Sequence, residues 1–452
     1  MYGKICNGES MNKHLVSIVR YVKPLDSVAK AVALSKGLEA LPGQAKVFIK
    51  PNIVFWTKSV PFPKWGVVTT SRVVEDMVVL LKERGISDIS IGEGTVISKA
   101  KDLETPAHAF KTLGYEVLKK KYGVKYFNTF ERPFKKVHLG EGITLNFNQD
   151  ILESDFVVNL PVLKTHTQTM VSLGIKNLKG TIDISSRKRC HNAEPGRDLH
   201  RMVSKLFLPM PPMFTLVDGI YSQERGPNVD GQARRSNLLV ASSDLFSADR
   251  VAARVLGFEP DKVPHLVHAA EALNRSVDLS DVEVVGERIE QVASPHDWVF
   301  PYNEDGSLPL PMEKMGIKGV SYPKYDLTIC TYCAGLTRVM LLAIARAWKG
   351  TPFGEVEILT GKLRQASPGK KKTLLLGKCI YEANKYNPHI QEMIAIKGCP
   401  PSHQSIYRGL VQAGIEVDQD LFEHMDRAMG VHMKKYRGKP DFDESFYQVA
   451  ES

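Results

Sequence analysis

Four cysteines in the C-terminal third of the chain have the residue type and spacing of a metal site. Cys330 and Cys333 form a Cys-x-x-Cys pair, Cys379 follows LLLGK, and Cys399 stands between a glycine and two prolines. Thiolate sulfur suits iron-sulfur clusters and zinc, and a Cys-x-x-Cys pair lets two sulfurs reach one centre from a single turn. The four cysteines therefore predict one metal centre, which is a [4Fe-4S] cluster or, as the alternative, zinc.

The separation of the second two cysteines favours iron and sulfide over zinc. A zinc ribbon usually supplies two Cys-x-x-Cys pairs, whereas Cys379 and Cys399 lie on separate apolar segments. Gly377 and Gly398 stand close to them, and glycine lets the backbone approach inorganic sulfide. Scattered buried thiols without metal remain the interpretation for Cys6 and Cys190.

A second set of polar residues falls at the ends of the predicted N-terminal strands. Because carboxyl ends of parallel strands build the ligand crevice of an open sheet, lysines and amides at those ends favour recognition of phosphate or carboxylate. The candidate substrate-binding residues are Lys50, Asn52, Thr69, Thr70, Glu93, Lys176 and Asn177. The candidate catalytic residues are His166 as general acid or base, Lys164, and Asp218.

Each of these residues also has a structural interpretation. A lysine at a strand end is often only solvated, His166 could be a hydrogen-bonded structural residue, and Asp218 could cap a loop. Cys190 and His191 stand among Arg187, Lys188 and Arg189, where a cationic setting could activate the thiolate.

The elements that must position these groups alternate between apolar strands and amphipathic helices. KVFIKPNIV, DISIGEGTV and DFVVNLPVL are typical of strands, whereas SRVVEDMVVLLKERG and AHAFKTLGYEVLKKKYG are typical of helices. KKVHLGEGITLNF predicts a hairpin. This alternation predicts an α/β fold with a mostly parallel open sheet and crossover helices.

The aperiodic stretches divide the chain. The segment 180–213 predicts a long functional loop within an N-terminal α/β substrate-binding domain over 1–315. A smaller α/β iron-sulfur domain is expected over 316–425, where YDLTIC, TLLLGKC and MIAIKGC would each place a cysteine after a strand. Residues 426–452 are expected to form a charged tail.

Composition narrows the classes of function. The chain has 452 residues and a net charge of +10, but the charge is diffuse and no nucleic-acid-binding motif is present. We see no signal-peptide core and no apolar run long enough for a membrane span, so we expect a cytoplasmic protein with neither nucleic acid nor membrane as partner. Few cysteines in so long a chain favour a reducing compartment. The oligomeric state is left open.

The cysteine motifs resemble a known cluster site. CTYC, GKC and GCPP resemble the proximal-cluster motifs of the small subunit of nickel-iron hydrogenases and of the equivalent subunit of respiratory complex I. The resemblance covers about 320–415, and it implies a single [4Fe-4S] cluster held by Cys330, Cys333, Cys379 and Cys399. It does not imply hydrogenase activity.

A longer stretch, about 45–270, resembles another family. IKPNIV, DFVVNLPVLKTHTQTMVSLGIKNLKGTI and SSDLFSADRVAARVLGFEP are similar to domain of unknown function 362. The resemblance implies an anaerobic setting and an association with iron-sulfur segments, although the paired ferredoxin motif is absent here.

Together these features predict an iron-sulfur, redox-linked enzyme acting on a small anionic compound. Two other interpretations stay open: a non-redox lyase or isomerase that uses the cluster as a Lewis acid, and an electron-transfer or assembly partner of a larger redox protein. The leading interpretation, a redox-linked enzyme, requires the C-terminal domain to fold back so that the cluster lies near the substrate crevice.

Overall fold

The computed structural model describes residues 13–94 and 102–451. Cys6 and the end of the predicted DISIGEGTV strand, from Thr95 onward, lie outside the described residues.

The N-terminal unit alternates strands and helices as expected. Its strands are β1 (His14–Arg20), β2 (Val47–Pro51), β3 (Ile89–Glu93), β4 (Lys125–Asn128), β5 (Phe134–His138), β6 (Thr144–Asn148), β7 (Phe156–Leu160), β8 (Val162–His166), β9 (Met170–Ser172), β10 (Met213–Glu224), β11 (Gln232–Ser242) and β12 (Val282–Gly286). Its helices are α1 (Asp26–Leu34), α2 (Ser71–Glu83), α3 (Glu104–Thr112), α4 (Tyr115–Tyr122), α5 (Gln149–Leu152), α6 (Gly174–Asn177), α7 (Ile184–Arg189), α8 (Leu199–Val203), α9 (Leu245–Val255), α10 (Pro264–Leu273) and α11 (Ile289–Val292). Short 3-10 helices span Thr129–Glu131, Leu178–Thr181 and Pro260–Lys262.

The main sheet has ten strands within the described residues, in the order β12-β1-β11-β10-β7-β2-β3-β4, with β8 on β10 and β9 on β8. The central run from β7 through β2 and β3 to β4 is parallel, and β5 and β6 form the expected hairpin. Every residue of β7 is buried, as its unbroken apolar sequence predicts for a strand covered on both faces. The α/β fold with a mostly parallel sheet is confirmed.

Two predicted elements are each divided in the structure. The helix predicted over AHAFKTLGYEVLKKKYG is two helices, α3 and α4, because Gly114 adopts a left-handed φ of 76° between them. The strand predicted over DFVVNLPVL is also two strands: Pro161, which lacks a backbone N–H, separates β7 from β8, and β8 then pairs with β10.

The segment 180–213 is folded rather than an extended irregular loop. It contains α7 and α8, and Leu199, Met202 and Leu206 pack in the core of the N-terminal unit. The apolar residues recur at helical spacing, but intervening Arg, His and Pro residues obscure the pattern in the sequence.

The C-terminal unit is a small parallel sheet with helices. It comprises α12 (Leu310–Lys314), β13 (Val320–Ser321), α13 (Thr331–Ala347), β14 (Val356–Leu359), β15 (Lys372–Leu376), α14 (Lys378–Asn384), β16 (Glu392–Ile396), α15 (His403–Gln412) and α16 (Gln419–Glu423). The strand order is β13-β14-β15-β16, and all pairs are parallel. Leu308 and Met312 already belong to its core, so this unit begins before residue 316.

One predicted strand of this unit is wrong. YDLTIC forms turns rather than a strand, and Cys330 instead precedes the first turn of α13. Here the helix that follows decides the backbone conformation: Cys330 has the extended φ and ψ of a residue that begins a helix.

The segment predicted as a charged tail packs on the N-terminal unit. Tyr436, Tyr447 and Val449 are buried in the same core as β2 and α2. The Tyr436 hydroxyl accepts a hydrogen bond from the Ala233 N–H at 2.8 Å. The 3-10 helices Met425–Lys435 and Glu444–Tyr447 carry or adjoin these residues, and their aromatic side chains explain the packing better than their charges do.

In the part of the chain that the structure describes, no helix combines the length and the apolar character needed to cross a bilayer.

Candidate functional site

The ends of β2 and β3 bring a lysine and a glutamate together. Lys50 Nζ lies 2.6 Å from Glu93 Oε2, and both side chains are buried. Lys50 also donates to the Pro51 carbonyl oxygen at 2.7 Å. Burial lowers the pKa of Lys50, and the neighbouring Glu93 carboxylate opposes this shift. The two residues therefore lie where the sequence predicts them, as a buried ion pair.

The end of β8 supplies two further predicted residues. Lys164 Nζ donates to the Val67 carbonyl oxygen at 2.8 Å, and burial lowers its pKa to about 7. His166 Nδ1 accepts from the Gln168 backbone N–H at 3.0 Å, so the neutral ring carries its proton on Nε2. Burial, reinforced by Lys176, lowers the pKa of His166 well below its ordinary value.

Lys176 completes a pair with this histidine. Its Nζ lies 3.3 Å from His166 Nε2. Burial lowers the pKa of Lys176 well below its ordinary value, which favours the neutral amine. The Nε2–H of neutral His166 can donate a hydrogen bond to that amine, whose lone pair accepts it.

The segment after α6 supplies one member of a second nitrogen pair. Lys179 Nζ donates to His191 Nε2 at 2.7 Å, and His191 Nδ1 donates to the Leu327 carbonyl oxygen at 3.0 Å. Burial lowers the pKa of Lys179 to about 8 and lowers that of His191 well below its ordinary value. The carbonyl fixes the tautomer, because only a protonated Nδ1 can donate to it.

Backbone and amide groups hold this loop in place. Asp249 accepts from the N–H groups of Gly174 and Ile175, at 2.7 and 2.8 Å, and so fixes the start of α6. Asn177 Nδ2 donates to Asn159 Oδ1 at 2.8 Å and to the Lys50 carbonyl oxygen at 3.2 Å. Asn177 is thus a bridge between the loop and the strand ends.

The basic side chains of this region outnumber the carboxylates. We call the following five residues the cationic cluster: Lys50, Lys164, Lys176, Lys179 and Arg187. Glu93 contacts Lys50 and lies 3.9 Å from Arg187 NH2. Within residues 13–94 and 102–451, no carboxylate lies within ion-pair distance of Lys164, Lys176 or Lys179.

Four predicted residues have internal roles instead. Thr70 donates twice to Asp218 Oδ2, through its N–H and hydroxyl at 2.8 Å each. The Thr69 hydroxyl accepts from the Asn52 N–H at 2.8 Å and donates to the Leu160 carbonyl oxygen at 2.7 Å. Asn52 Nδ2 donates to the Val67 carbonyl oxygen at 2.7 Å. These contacts fix the loop after β2 against β7 and β10, so they support the structural interpretation of Asp218, Asn52, Thr69 and Thr70.

The sequence indicated Lys179 only as a neighbour of Lys176 and Asn177 in one loop, and it did not place Arg187 and His191 in the substrate site. A lysine two positions after Asn177 and a Cys-His pair in a basic stretch were visible signals, but nothing in the sequence joined them to β2 and β3. Cys190 is fully buried, and burial raises its pKa, which is contrary to an activated thiolate.

The four cysteines predicted to bind a metal lie at the starts of helices and at a strand end. Cys330 precedes α13, Cys333 lies in its first turn, Cys379 lies in the first turn of α14, and Cys399 follows β16. A hydrogen bond with Cys330 and burial raise the pKa of Cys333, and the charges of Cys330, Cys379 and Cys399 add to this shift, which places the four thiols in one neighbourhood. A hydrogen bond from Cys333, together with backbone N–H groups, lowers the pKa of Cys330 to about 5.

Gly377 lies next to the thiol of Cys333, and its backbone conformation is one that favours glycine. A Cβ atom added to Gly377, whose φ is 109°, would lie 3.6 Å from Cys333 Sγ. Within the described residues, all of these cysteines are free, and no group of three or more His, Cys, Asp or Glu side chains is arranged to hold a metal ion. The metal site remains a prediction.

The two units meet between the cationic cluster and the cysteines. Lys188 Nζ donates to the Cys399 carbonyl oxygen at 2.9 Å and lies 3.5 Å from Cys399 Sγ. Gln168 Nε2 donates to the carbonyls of Asp326 and Ile329, both at 3.1 Å. The loop that ends at Cys330 therefore rests on the end of β8 and on the residues that follow α7.

Comparison with known protein families gives a match within the first unit. Residues 47–254 match the family described as domain of unknown function (DUF362). The DUF362 segment contains the whole cationic cluster and ends before the four predicted metal ligands. The family resemblance is therefore confirmed for this segment, and the resemblance of the cysteine motifs to hydrogenase and complex I subunits remains an expectation.

A curated relative shares part of the chain. The thylakoid-associated protein sll1697 of Synechocystis sp. is 32% identical over 123 residues, which cover 26% of this chain and 38% of that protein. The matched part thus spans little more than a third of that relative's length.

Proposed function

We propose that this protein is an iron-sulfur, redox-linked enzyme that binds a small anionic substrate, a phosphate or a carboxylate, at the cationic cluster. The observation that carries the proposal is a group of buried basic side chains with too few carboxylates. The nearby residues Lys188 and Gln168 contact the segments that bear Cys399 and Cys330.

The charge imbalance is the first support. Removing a cation from water costs several kcal/mol when no counter-ion accompanies it. Lys164 and Lys179 are buried, yet neither has a carboxylate partner among the described residues. An anionic substrate would supply the missing charge, and the lysine N–H groups would donate to its oxygens.

The arrangement of the proton-carrying groups is the second support. His166 Nε2 and Lys176 Nζ lie 3.3 Å apart, so the ring N–H can hold the neutral lysine amine in position. His191 and Lys179 form a second nitrogen pair at 2.7 Å. A substrate bound among these residues would be oriented by Lys50 and Asn177, and its acidic proton would pass to the Lys176 amine.

The cysteine loops fit an iron-sulfur cluster. Cys330, Cys333, Cys379 and Cys399 would hold it, because all four are free thiols and their charges act on one another at close range. Bound there, a [4Fe-4S] cluster would supply single electrons. Backbone N–H groups at the start of α13 already stabilise a thiolate at Cys330, and Lys188 adds a positive charge beside Cys399.

The test is anaerobic purification of the full chain, followed by iron and sulfide analysis and electron paramagnetic resonance before and after reduction. We expect about four irons and four sulfides per chain. Phosphate or a small carboxylate should alter the spectrum of the reduced protein.

Two lysine variants define the role of the cationic cluster. Lys176→Met should abolish the effect of the anion while iron content stays the same. Lys205→Met is the matched control, because Lys205 is buried in the same unit but is paired with Glu141 at 3.0 Å. Iron-free protein would refute the cluster, and an anion effect that survives Lys176→Met would refute the assignment of the substrate site.

A further inference from the structure

A separate polar cavity lies in the C-terminal unit, beside the edge strand β13. Its volume is about 410 Å³, within the range of small-molecule sites. Residues of β13 and β14 line it, together with the loop after β14 and the turn around Gly306. None of the four cysteines and none of the cationic cluster lines this cavity.

One wall of the cavity presents hydrogen-bonding groups from neighbouring strands. Ser321 and Glu357 are opposite each other in the register of β13 and β14, and both are buried. The Ser321 hydroxyl has no hydrogen-bond partner among the described residues, although Ser321 is only 6% exposed. A buried hydroxyl without a partner is uncommon and requires explanation.

Glu357 has spare capacity next to this hydroxyl. Its carboxylate accepts from the Ser367 N–H at 3.0 Å and from the Ser367 hydroxyl at 2.6 Å. A carboxylate has about four acceptor sites, so about two remain. Asp305, the other carboxylate of the lining, accepts from the Ser307 N–H at 2.9 Å. The wall with Glu357 can therefore accept hydrogen bonds from hydroxyl groups of a ligand.

Cations form another part of the lining. Lys324, Arg364 and Lys370 contribute to it, and no carboxylate lies within ion-pair distance of any of them in the described part of the chain. Arg364 NH2 donates to the Lys324 carbonyl oxygen, but Arg364 Nε is buried without a partner. Three cations without ion pairs, in a cavity whose two carboxylates are already hydrogen-bonded, favour an anionic group in the ligand.

We propose that this cavity binds a phosphorylated polyol. Its hydroxyls would bond Glu357 and Ser321, and its phosphate would bond Arg364, Lys324 and Lys370. A simple anion would use only the cationic side chains, and an uncharged polyol would use only Glu357 and Ser321, so a molecule with both kinds of group satisfies more of the unpartnered groups. Sugar phosphates and nucleoside monophosphates both have this chemistry.

The site adds to the proposed function and does not depend on it. The loop that contributes Arg364 also carries Lys362, whose N–H donates to Thr328 Oγ1 at 2.7 Å and whose Nζ donates to the His191 carbonyl oxygen. A ligand at Arg364 is therefore one short loop away from the contact between the two units. Binding at this cavity can be measured whether or not a cluster is present.

The experiment is titration calorimetry of the intact protein with ribose 5-phosphate, adenosine monophosphate and inorganic phosphate. We expect at least one of the two hydroxylated phosphates to bind at least about tenfold more tightly than inorganic phosphate, because charged hydrogen bonds to Glu357 are added. Tighter binding of the nucleotide would identify a nucleoside monophosphate as the source of the ligand, and tighter binding of ribose 5-phosphate would identify a sugar phosphate.

Lysine neighbours supply a matched pair of variants. Lys370→Ala should weaken binding about tenfold, whereas Lys371→Ala, one residue outside the lining, should not. Ser321→Ala should reduce the preference for hydroxylated phosphates and leaves no new unpaired group, so folding is preserved. Thermal unfolding of each variant checks that the fold is intact.

Three results would overturn the proposal. They are the absence of binding by either hydroxylated phosphate, equal affinity for inorganic phosphate, and equal losses in Lys370→Ala and Lys371→Ala. Loss of binding in Lys176→Met would also overturn it, because it would assign the ligand to the cationic cluster instead.

Discussion

The two units place functional groups at the ends of parallel strands in opposite ways. In the DUF362 segment the strand ends are covered, so Lys50 and Lys164 are almost inaccessible to water. In the C-terminal unit the corresponding loops are open, and Cys379 and Cys399 are exposed. The same sheet geometry thus yields buried charge in one unit and accessible sulfur in the other.

The two arrangements differ in how much they reduce the stability of the folded chain before a ligand binds. A buried cation lowers the stability of the folded chain until an anion arrives, whereas an exposed thiol costs little until a metal binds. Variants in the first unit should therefore change stability, and variants in the second should change cofactor content.

The largest expected effect is in the cysteine loops. Cys379→Ser should abolish retention of iron with little change in the unfolding of the apo-protein, since this side chain is exposed. Iron analysis after anaerobic reconstitution measures the effect. Cys190→Ser is the control, because Cys190 packs in the core of the other unit, and it should retain full iron content. Equal iron in both variants would contradict the assignment.

The next effect tests the buried ion pair. Glu93→Gln leaves Lys50 without its carboxylate and should lower the free energy of unfolding by about 3–5 kcal/mol. Glu104→Gln removes an exposed pair with Lys58 and should change the free energy of unfolding far less, because water screens this pair. Urea unfolding of the two variants gives the comparison, and similar losses would show that burial does not determine the cost.

The third prediction concerns pH. The pKa of Lys164 is lowered to about 7 in the folded protein, so between about pH 7 and pH 10 the unfolded chain binds more protons than the folded one. Stability should therefore rise with pH in this window, by up to about 1.4 kcal/mol per unit from this one group. Lys164→Met should flatten the slope measured by urea unfolding, and Lys205→Met should leave it unchanged.

The smallest effect concerns packing around the ion pair. A Cβ atom at Gly180 would lie 2.6 Å from Lys50 Nζ, so Gly180→Ala should destabilise by about 1–3 kcal/mol. A Cβ atom at Gly43 would have no heavy atom within 4 Å, and Gly43→Ala should be close to neutral. Thermal unfolding separates the two, and a neutral Gly180→Ala would mean that the pair can move apart.

The strand ends were predictable because local sequence determines them. Apolar runs located β2, β3 and β7, and the polar residue at the end of each run gave Lys50 and Glu93. Proline at position 161 is a signal for a break, because it has no N–H to donate, but the apolar residues on both sides of it suggested one continuous strand.

Contacts between segments that are distant in the chain could not be predicted from local sequence patterns. Lys188 and Cys399 are 211 positions apart, and no periodicity relates them. The folded state of 180–213 depends on Leu199 and Met202 meeting a core built by α9 and α10, which is a tertiary effect. Sequence patterns describe what each segment can form, whereas these contacts depend on where the segments meet.

The packing of Tyr436 and Tyr447 has a mechanical consequence. The chain leaves the N-terminal unit near residue 300, forms the C-terminal unit with its cysteines, and then returns to pack on the N-terminal unit. Because both ends of the C-terminal unit are anchored on the same neighbour, it can rotate far less than a domain joined by a single linker. A cluster bound by its cysteines would therefore stay at a nearly constant distance from Lys164 and His166, even if the direct contacts between the two units were weak.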